Sequence, residues 1–235
     1  MLHYLVPSRG RPQNAARLLM AFQSTCITET AITFCCDEDD PTLPEYKDII
    51  QSARYVNTGV TVGERIRMGP TLDKNAVKVA KAYPNDIIGF MGDDHLPQTV
   101  GWDLNIATDL EEMKVGIWYG NDLIQRQGLP TAVAMTANVI NTLGYMVIPG
   151  LIHMYIDNLW KSLGEGAQIL RYRHDVIIEH VHPIAGKVAW DAGYVEVNDG
   201  SVYDHDGRVF MEWQLRKRSL DIEQLKILKE NLNVT

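Results

Sequence analysis

Ile87-Ile-Gly-Phe-Met-Gly-Asp-Asp-His-Leu-Pro97 is the stretch that decides the fold. Ile87, Ile88, Phe90 and Met91 make a short, almost unbroken apolar run, as expected of a strand covered on both faces in a parallel sheet. Gly92 lets the chain turn, and Asp93, Asp94 and His95 then stand together at the strand's carboxyl end. Open α/β sheets bind ligands at that edge. Adjacent carboxylates repel each other and lose solvation there, which calls for a positive partner, most simply a divalent metal ion. The competing reading is an acidic turn that caps the next helix.

Working outward, Leu2–Val6 is a compact apolar strand closed by Pro7-Ser-Arg-Gly-Arg-Pro12. Pro12 suits a first helical turn, and Ala15, Leu18, Leu19 and Phe22 continue as the stripe of an amphipathic helix. Ala31–Cys36 reads as a second strand, ending on Asp37-Glu-Asp-Asp-Pro41, so two strands end on carboxylates. A short helix around Glu45–Ser52, an edge strand at Arg54–Asn57 and a glycine-punctuated loop over 58–70 carrying Arg65 and Arg67 follow. A helix over Thr71–Tyr83 then leads into the opening strand. The order β-α-β-α-β-α-β predicts right-handed crossovers and a parallel sheet.

Beyond Pro97 the pattern predicts a helix with Val100, Leu104, Ala107 and Leu110 inward, then a strand over Val115–Tyr119. Gly120–Pro130 is polar and reads as a mobile loop over a site. A strand at Thr131–Thr136, a short helix at Ala137–Leu143 and a helix beginning near Asp157 come next. Gln168–Tyr172 and Val176–Glu179 read as two strands, the second running into His180-Val-His182-Pro183. From about Ser201 the tail is helical, with Ile222, Leu225, Leu228 and Leu232 as its stripe. The simplest division is one α/β domain over 1–200 with a helical extension, 201–235, packed on it.

With 235 residues the chain is long enough for a substantial core. A net charge of −8 argues against a nucleic-acid-coating surface. Cys26, Cys35 and Cys36 are odd in number and lack CxxC spacing, which fits a reducing compartment. The start carries no secretory pattern, and no apolar window approaches the ~18 residues of a membrane span. A cytoplasmic protein without a membrane association is expected.

There is no GxxxxGK[ST], no GxGxxG after the first strand and no GxSxG. What remains is acidic strand ends with arginines in the neighbouring loops, a set suited to a diphosphate held by a metal and guanidinium groups. Arg9 and Arg11 can bind phosphate or base edges, or be solvated loop residues. Asp37 and Asp39 can accept from a base or ribose, or only shape the turn before Pro41. His180 and His182 are the distant partners of Asp93-Asp94-His95, since imidazole and carboxylate together suit Mn²⁺. Alternation along a strand lets only one of them face the site, and His182 is chosen as nearer the strand exit. Asp157 is either a helix N-cap or a general base.

The order Pro-Ser-Arg-Gly-Arg-Pro, Cys-Asp-Glu-Asp-Asp, Asp73-Lys-Asn75-Ala, Phe-Met-Gly-Asp-Asp-His and Tyr-Ile-Asp-Asn-Leu-Trp resembles nucleotide-sugar glycosyltransferases of the GT-A type. The similarity covers residues 2 to 190 and is closest to small family-2-like enzymes, including ones encoded by bacteriophages; for a viral protein the compartment is the host cytoplasm. It implies a Rossmann-type three-layer sandwich with a mostly parallel sheet and a helical C-terminal extension. It further implies that Pro7, Ser8, Arg9, Arg11, Asp37, Asn75 and Asp93 bind the nucleotide sugar. Asp94 and His182 would hold a divalent metal, Mn²⁺ or Mg²⁺, and Asp157 would be the catalytic base of an inverting transfer. The chain departs from the common Asp-x-Asp form at Gly92-Asp-Asp-His, which leaves Asp93 with His95, or Asp94 alone, as the metal-binding set.

A nucleotidyltransferase would want a Gly-rich, Lys-containing first loop, and a metallophosphoesterase an early Asp-x-His; neither is present. A non-enzymatic nucleotide-sugar-binding module is the third reading. UDP-, GDP- and dTDP-sugars remain equal as donors. Modified DNA, protein and glycans remain open as acceptors, with Arg216-Lys-Arg218 offering a local basic patch.

Overall fold

The structure, a computed structural model, describes residues 1–54 and 56–233. The chain begins with β1 (Leu2–Pro7), α1 (Pro12–Thr25), β2 (Thr30–Asp37), α2 (Leu43–Gln51), β3 (Asn57–Gly63), α3 (Met68–Ala82) and β4 (Ile87–Phe90). β5 (His95–Pro97), α4 (Trp102–Met113), β6 (Ile117–Asn121), β7 (Val133–Thr136) and α5 (Ala137–Leu143) follow. The chain continues through α6 (Ile156–Gly166), β8 (Leu170–His180), α7 (Ala192–Val197), α8 (Gly200–Arg216) and α9 (Arg218–Asn233).

Among the described residues eight strands form one sheet, in the order β3-β2-β1-β4-β7-β6-β8-β5. β3, β2, β1 and β4 run parallel, as their alternation with helices predicts. β7 is antiparallel to both β4 and β6, β6 is parallel to β8, and β5 is antiparallel to β8. Parallel pairings therefore outnumber antiparallel ones four to three.

Strand alternation sends side chains to two separate cores. Leu2, Tyr4 and Val6 of β1 join Leu18 and Phe22 of α1, Tyr46 of α2 and Trp102 and Ile106 of α4. Leu5 joins the opposite core, with Leu72 and Ala76 of α3, Ile140 of α5, Trp160 of α6 and Trp213, Ile222 and Leu225 of α8 and α9. Helices thus cover both faces of the sheet, and the C-terminal helices belong to one of those layers. Each fully buried Leu or Phe contributes about 1.5–3 kcal/mol of transfer free energy.

Several expectations need correction. The edge strand lies at Asn57–Gly63, within the stretch read as loop; of the expected Arg54–Asn57, Tyr55 lies outside the described residues. β8 is one strand rather than two. Arg173-His174-Asp175 interrupts its apolar run but stays within the strand, at an irregularity beside Gly120 and Asn121. Val100, which precedes α4, and Leu104 on it are exposed, and Trp102 and Ile106 are inward with Leu110. The phase differs from the expected one because two aspartates belong to the buried face. Asp103 accepts from Ile27 N (3.0 Å) and Thr28 N (2.7 Å), and Asp109 from Trp118 Nε1 (2.8 Å). The 120–130 segment is pinned by Asp122, which accepts from Ile124 N, Arg126 N and Thr131 Oγ1 at 2.9, 2.7 and 2.9 Å.

Candidate active site

Because β1, β2 and β4 are parallel, Ser8, Asp37 and Asp93 emerge at the same sheet edge. A cavity of about 300 Å³ opens there. Pro7, Ser8, Arg9, Arg11 and Asp37 line one side, and Asp93, Asp94 and His95 form the centre. Asp157 of α6, His153 and the β8 end with His180 and His182 close the opposite wall. Arg65 and Arg67 from before α3, Met68 and Thr71 of that helix, and Tyr194 and Glu196 of α7 complete the lining.

At the centre, β5 pairs antiparallel with β8 so that His95 stands opposite His180. Their rings stack at 4.1 Å between centroids and 18° between planes. Asp94 lies against both, its Oδ2 3.5 Å from His180 Nε2 and its Oδ1 3.3 Å from His95 Nδ1. Ligand atoms of Asp94, His95 and His180 all fall within 4.8 Å of one another. Burial works against the Asp94 charge, but the two imidazoles outweigh it and hold its carboxyl well below the usual range. Neither ring nitrogen of the buried His95 has a hydrogen-bond partner among the described residues. Gly92 is needed for this approach, since a Cβ there would sit 2.5 Å from Asp94 Oδ1 and 3.1 Å from His95 Nδ1.

Asp93 faces the other way. It accepts from Ser8 Oγ (2.5 Å), Asn14 Nδ2 (3.3 Å) and Arg11 Nη1 (3.4 Å). Burial and the neighbouring Asp94 raise its pKa to about 6 against these donors. Arg11 also donates to Asp191 Oδ1 (2.7 Å) and stacks over the Tyr194 ring, 3.9 Å from its centroid. Arg65 donates to Glu196 at 2.8 Å, and Arg67 pairs with the same carboxylate. The Tyr194 hydroxyl donates to Asp94 Oδ2 at 2.8 Å. The end of α7 and its flank therefore engage three arginines and one central carboxylate.

Asp157 is in the first turn of α6 but is not its cap; Tyr155 occupies that position with φ 63°. The Asp157 carboxyl has no hydrogen bond to another described residue. Burial in the pocket wall, aided by Asp122 and opposed by His180, pushes its pKa up to about 7.

No protein-family model matches the sequence, and no curated protein does. Solved structures match. The mannosyltransferase PcManGT from Pyrobaculum calidifontis, in complex with GDP-Man and Mn²⁺, superposes with a TM-score of 0.59 at 9% identity, over 95% of this chain and 72% of that one. The chain has the GT-A fold. S. aureus TarS 1–349 in complex with UDP gives 0.56 at 9% identity, over 76% of this chain. This chain spans 60% of that TarS structure's length. Glucosyl-3-phosphoglycerate synthase from Mycobacterium tuberculosis, with Mn²⁺, UDP and phosphoglyceric acid, gives 0.51 at 10% identity, over 80% and 74% of the two chains.

On this GT-A sheet Pro7, Ser8, Arg9, Arg11, Asp37, Asp93, Asp94, Asp157 and His182 all line one cavity. Asn75 does not: its amide donates to Thr71 O (2.8 Å), one turn back along α3, and Met68 and Thr71 are the residues of that helix that line the cavity. His180, passed over in favour of His182, is the histidine beside Asp94. Both histidines line the cavity, because the strand ends at His180 and alternation stops there; His182 Nδ1 accepts from Ile184 N (3.2 Å). Tyr194, Glu196 and His153 were not read from the sequence. Asp191 before Ala-Gly-Tyr, a helix N-cap pattern, is the signal that marks α7, and Asp191 does accept from Tyr194 N (2.9 Å). For His153 no local signal exists. Among the described residues no helix is long and apolar enough to cross a membrane.

Proposed function

We propose that this protein is a divalent-metal-dependent glycosyltransferase that moves a sugar from a nucleoside-diphosphate donor to an acceptor hydroxyl with inversion. The observation that carries the reading is the Asp94–His95–His180 cluster, set between an arginine-lined half-cavity and the free carboxyl of Asp157 on a GT-A sheet. The donor set fits a metal ion: one carboxylate and two imidazoles within reach of each other, one imidazole buried with neither nitrogen hydrogen-bonded and only the Asp94 carboxylate at ion-pair distance. Asp94, His95 and His180 would hold it. A divalent ion there supplies positive charge for the departing diphosphate.

The protein's own residues do the rest. Arg11, Arg65 and Arg67 bind the phosphates; each is already paired with a carboxylate, the nearest mimic of a phosphate oxygen that a protein side chain offers. Asp37 and Arg9, ion-paired at 3.1 Å, form the edge where the base would rest. Asp93 and Ser8 lie between that edge and the cluster, in reach of ribose hydroxyls. Asp157 takes the acceptor's proton as its oxygen bonds to the anomeric carbon and the bond to the diphosphate breaks. A pKa near neutrality suits a base in that role.

Thermal-shift titration with UDP-, GDP- and dTDP-sugars, with and without Mn²⁺, tests the reading. At least one is expected to raise the melting temperature only when metal is present, and Asp94→Asn is expected to remove that gain. If no nucleoside diphosphate stabilises the protein in a metal-dependent way, the reading is wrong.

A further inference from the structure

Residues 151–155, between Gly150 and α6, form neither helix nor strand, and a carboxylate from α8 organises them. Asp206 is fully buried and accepts from three successive backbone amides, Ile152 N at 2.9 Å, His153 N at 2.8 Å and Met154 N at 2.7 Å. Three amides converging on one carboxylate fix the local backbone and so the direction of the His153 side chain. That side chain lines the cavity, yet its Nδ1 is shut off from solvent with no hydrogen-bond partner among the described residues. Leaving such an atom unpaired costs about 1–3 kcal/mol, a cost that a rotation of the ring toward a hydroxyl bound in the cavity would relieve.

The chemistry of the missing partner is restricted. His153 is not a member of the metal-ligand cluster. Burial lowers its pKa to about 4, so the ring is neutral, with one nitrogen donating and the other accepting. The arginines already provide charge for phosphates, and a neutral imidazole adds none. A hydroxyl, which both donates and accepts, is the matching group. Besides Asp206, the groups that act on His153 are Asp94 of the cluster and Arg11 and His182, all three of which line the same cavity. Asp157 follows four residues later at the start of α6. A group between the diphosphate and the base catalyst is the transferred sugar.

We propose that His153 is a specificity-determining residue that hydrogen-bonds a hydroxyl of the transferred sugar, and that Asp206 of α8 is its positioning residue. The assignment rests on the glycosyltransferase reading and deepens it. It also makes a C-terminal helix part of the sugar site.

The test compares free diphosphates with their sugar conjugates by calorimetric titration in Mn²⁺: UDP and GDP against UDP-glucose, UDP-GlcNAc and GDP-mannose. His153→Ala is expected to weaken the preferred conjugate about tenfold while leaving its free diphosphate unchanged. His153→Asn, whose amide can sit near the Nδ1 position, is expected to recover most of that loss. Asp206→Asn is expected to show the same selective loss; if it does not fold, the two His153 variants decide alone. Equal weakening of diphosphate and conjugate, or no weakening of the conjugate, overturns the assignment. A wild-type protein that binds UDP or GDP but gains nothing from any of the three sugars overturns this assignment only. A wild-type protein that binds none of these ligands, nor dTDP or dTDP-glucose, overturns the glycosyltransferase reading as well.

Discussion

Asp157 illustrates a conflict between chemistry and stability in a single side chain. An aspartate free in solution titrates near 4, whereas burial pushes this one up to about 7. The folded state therefore favours the protonated form. Below pH ~4 both folded and unfolded chains are protonated and nothing is lost. As pH rises from ~4 to ~7 the wild-type chain loses stability, and above that the penalty is constant. Asp157→Asn is expected to be more stable than wild type at pH 8, by roughly 1–2 kcal/mol given the partial exposure of the residue. That gain should disappear near pH 4, as melting curves across the range will show. The same variant should transfer sugar about 10²–10⁴-fold more slowly, measured by release of nucleoside diphosphate. A variant that is slow without being more stable at pH 8 would mean that the carboxyl is already ionised at no cost.

At the scale of elements, α7 occupies contacts that the proposed donor would need. Its segment places Asp191 and Glu196 on the arginines and the Tyr194 hydroxyl on Asp94, where donor groups would have to bind. A ligand that binds only when a competing contact opens has its affinity reduced by the open fraction. Asp191→Asn combined with Glu196→Gln is therefore expected to tighten UDP binding in Mn²⁺ several-fold, by calorimetry. Weaker binding would instead make these carboxylates part of the donor site. The sequence disclosed elements unevenly. β1, β2 and β4 were readable because each is an apolar run stopped by proline, aspartate or glycine. β8 was not, because Arg173 pairs with Asp175 at 2.8 Å and with Asp109 of α4 at 3.0 Å, a polar break that only the fold reconciles. The face of α4 was misread for the same kind of reason, since a buried aspartate with partners looks like a surface residue in sequence. Within the site, strand ends were legible from local order, whereas α7 and His153 depend on contacts across more than 50 residues.

The whole molecule is held by two cores separated by the sheet, and the C-terminal helices complete one of them. Asp221, buried at the start of α9, accepts from Tyr145 Oη (2.5 Å) and Trp213 Nε1 (2.7 Å). Asp221→Ala leaves both donors unpaired and is expected to cost about 2–4 kcal/mol by urea unfolding. A loss below about 1 kcal/mol would mean that water replaces the carboxylate. The parallel half of the sheet was predictable from its alternation with helices, but the reversal at β7 was not. Short apolar runs such as Val133–Thr136 carry no mark of direction, which the connections set.

Asp94 and His180 come from opposite halves of the chain and meet only because β5 lies against β8. An ion shared by them would act as a removable cross-link between the turn after β4 and the last strand of the sheet. Its effect would extend to residues that never touch a substrate. Chelation with EDTA is expected to speed amide hydrogen exchange along β5 and the end of β8 while leaving β1 and β2 unchanged. Exchange mass spectrometry would thus register metal occupancy without any turnover, and uniform exchange with and without chelator would count against such a cross-link.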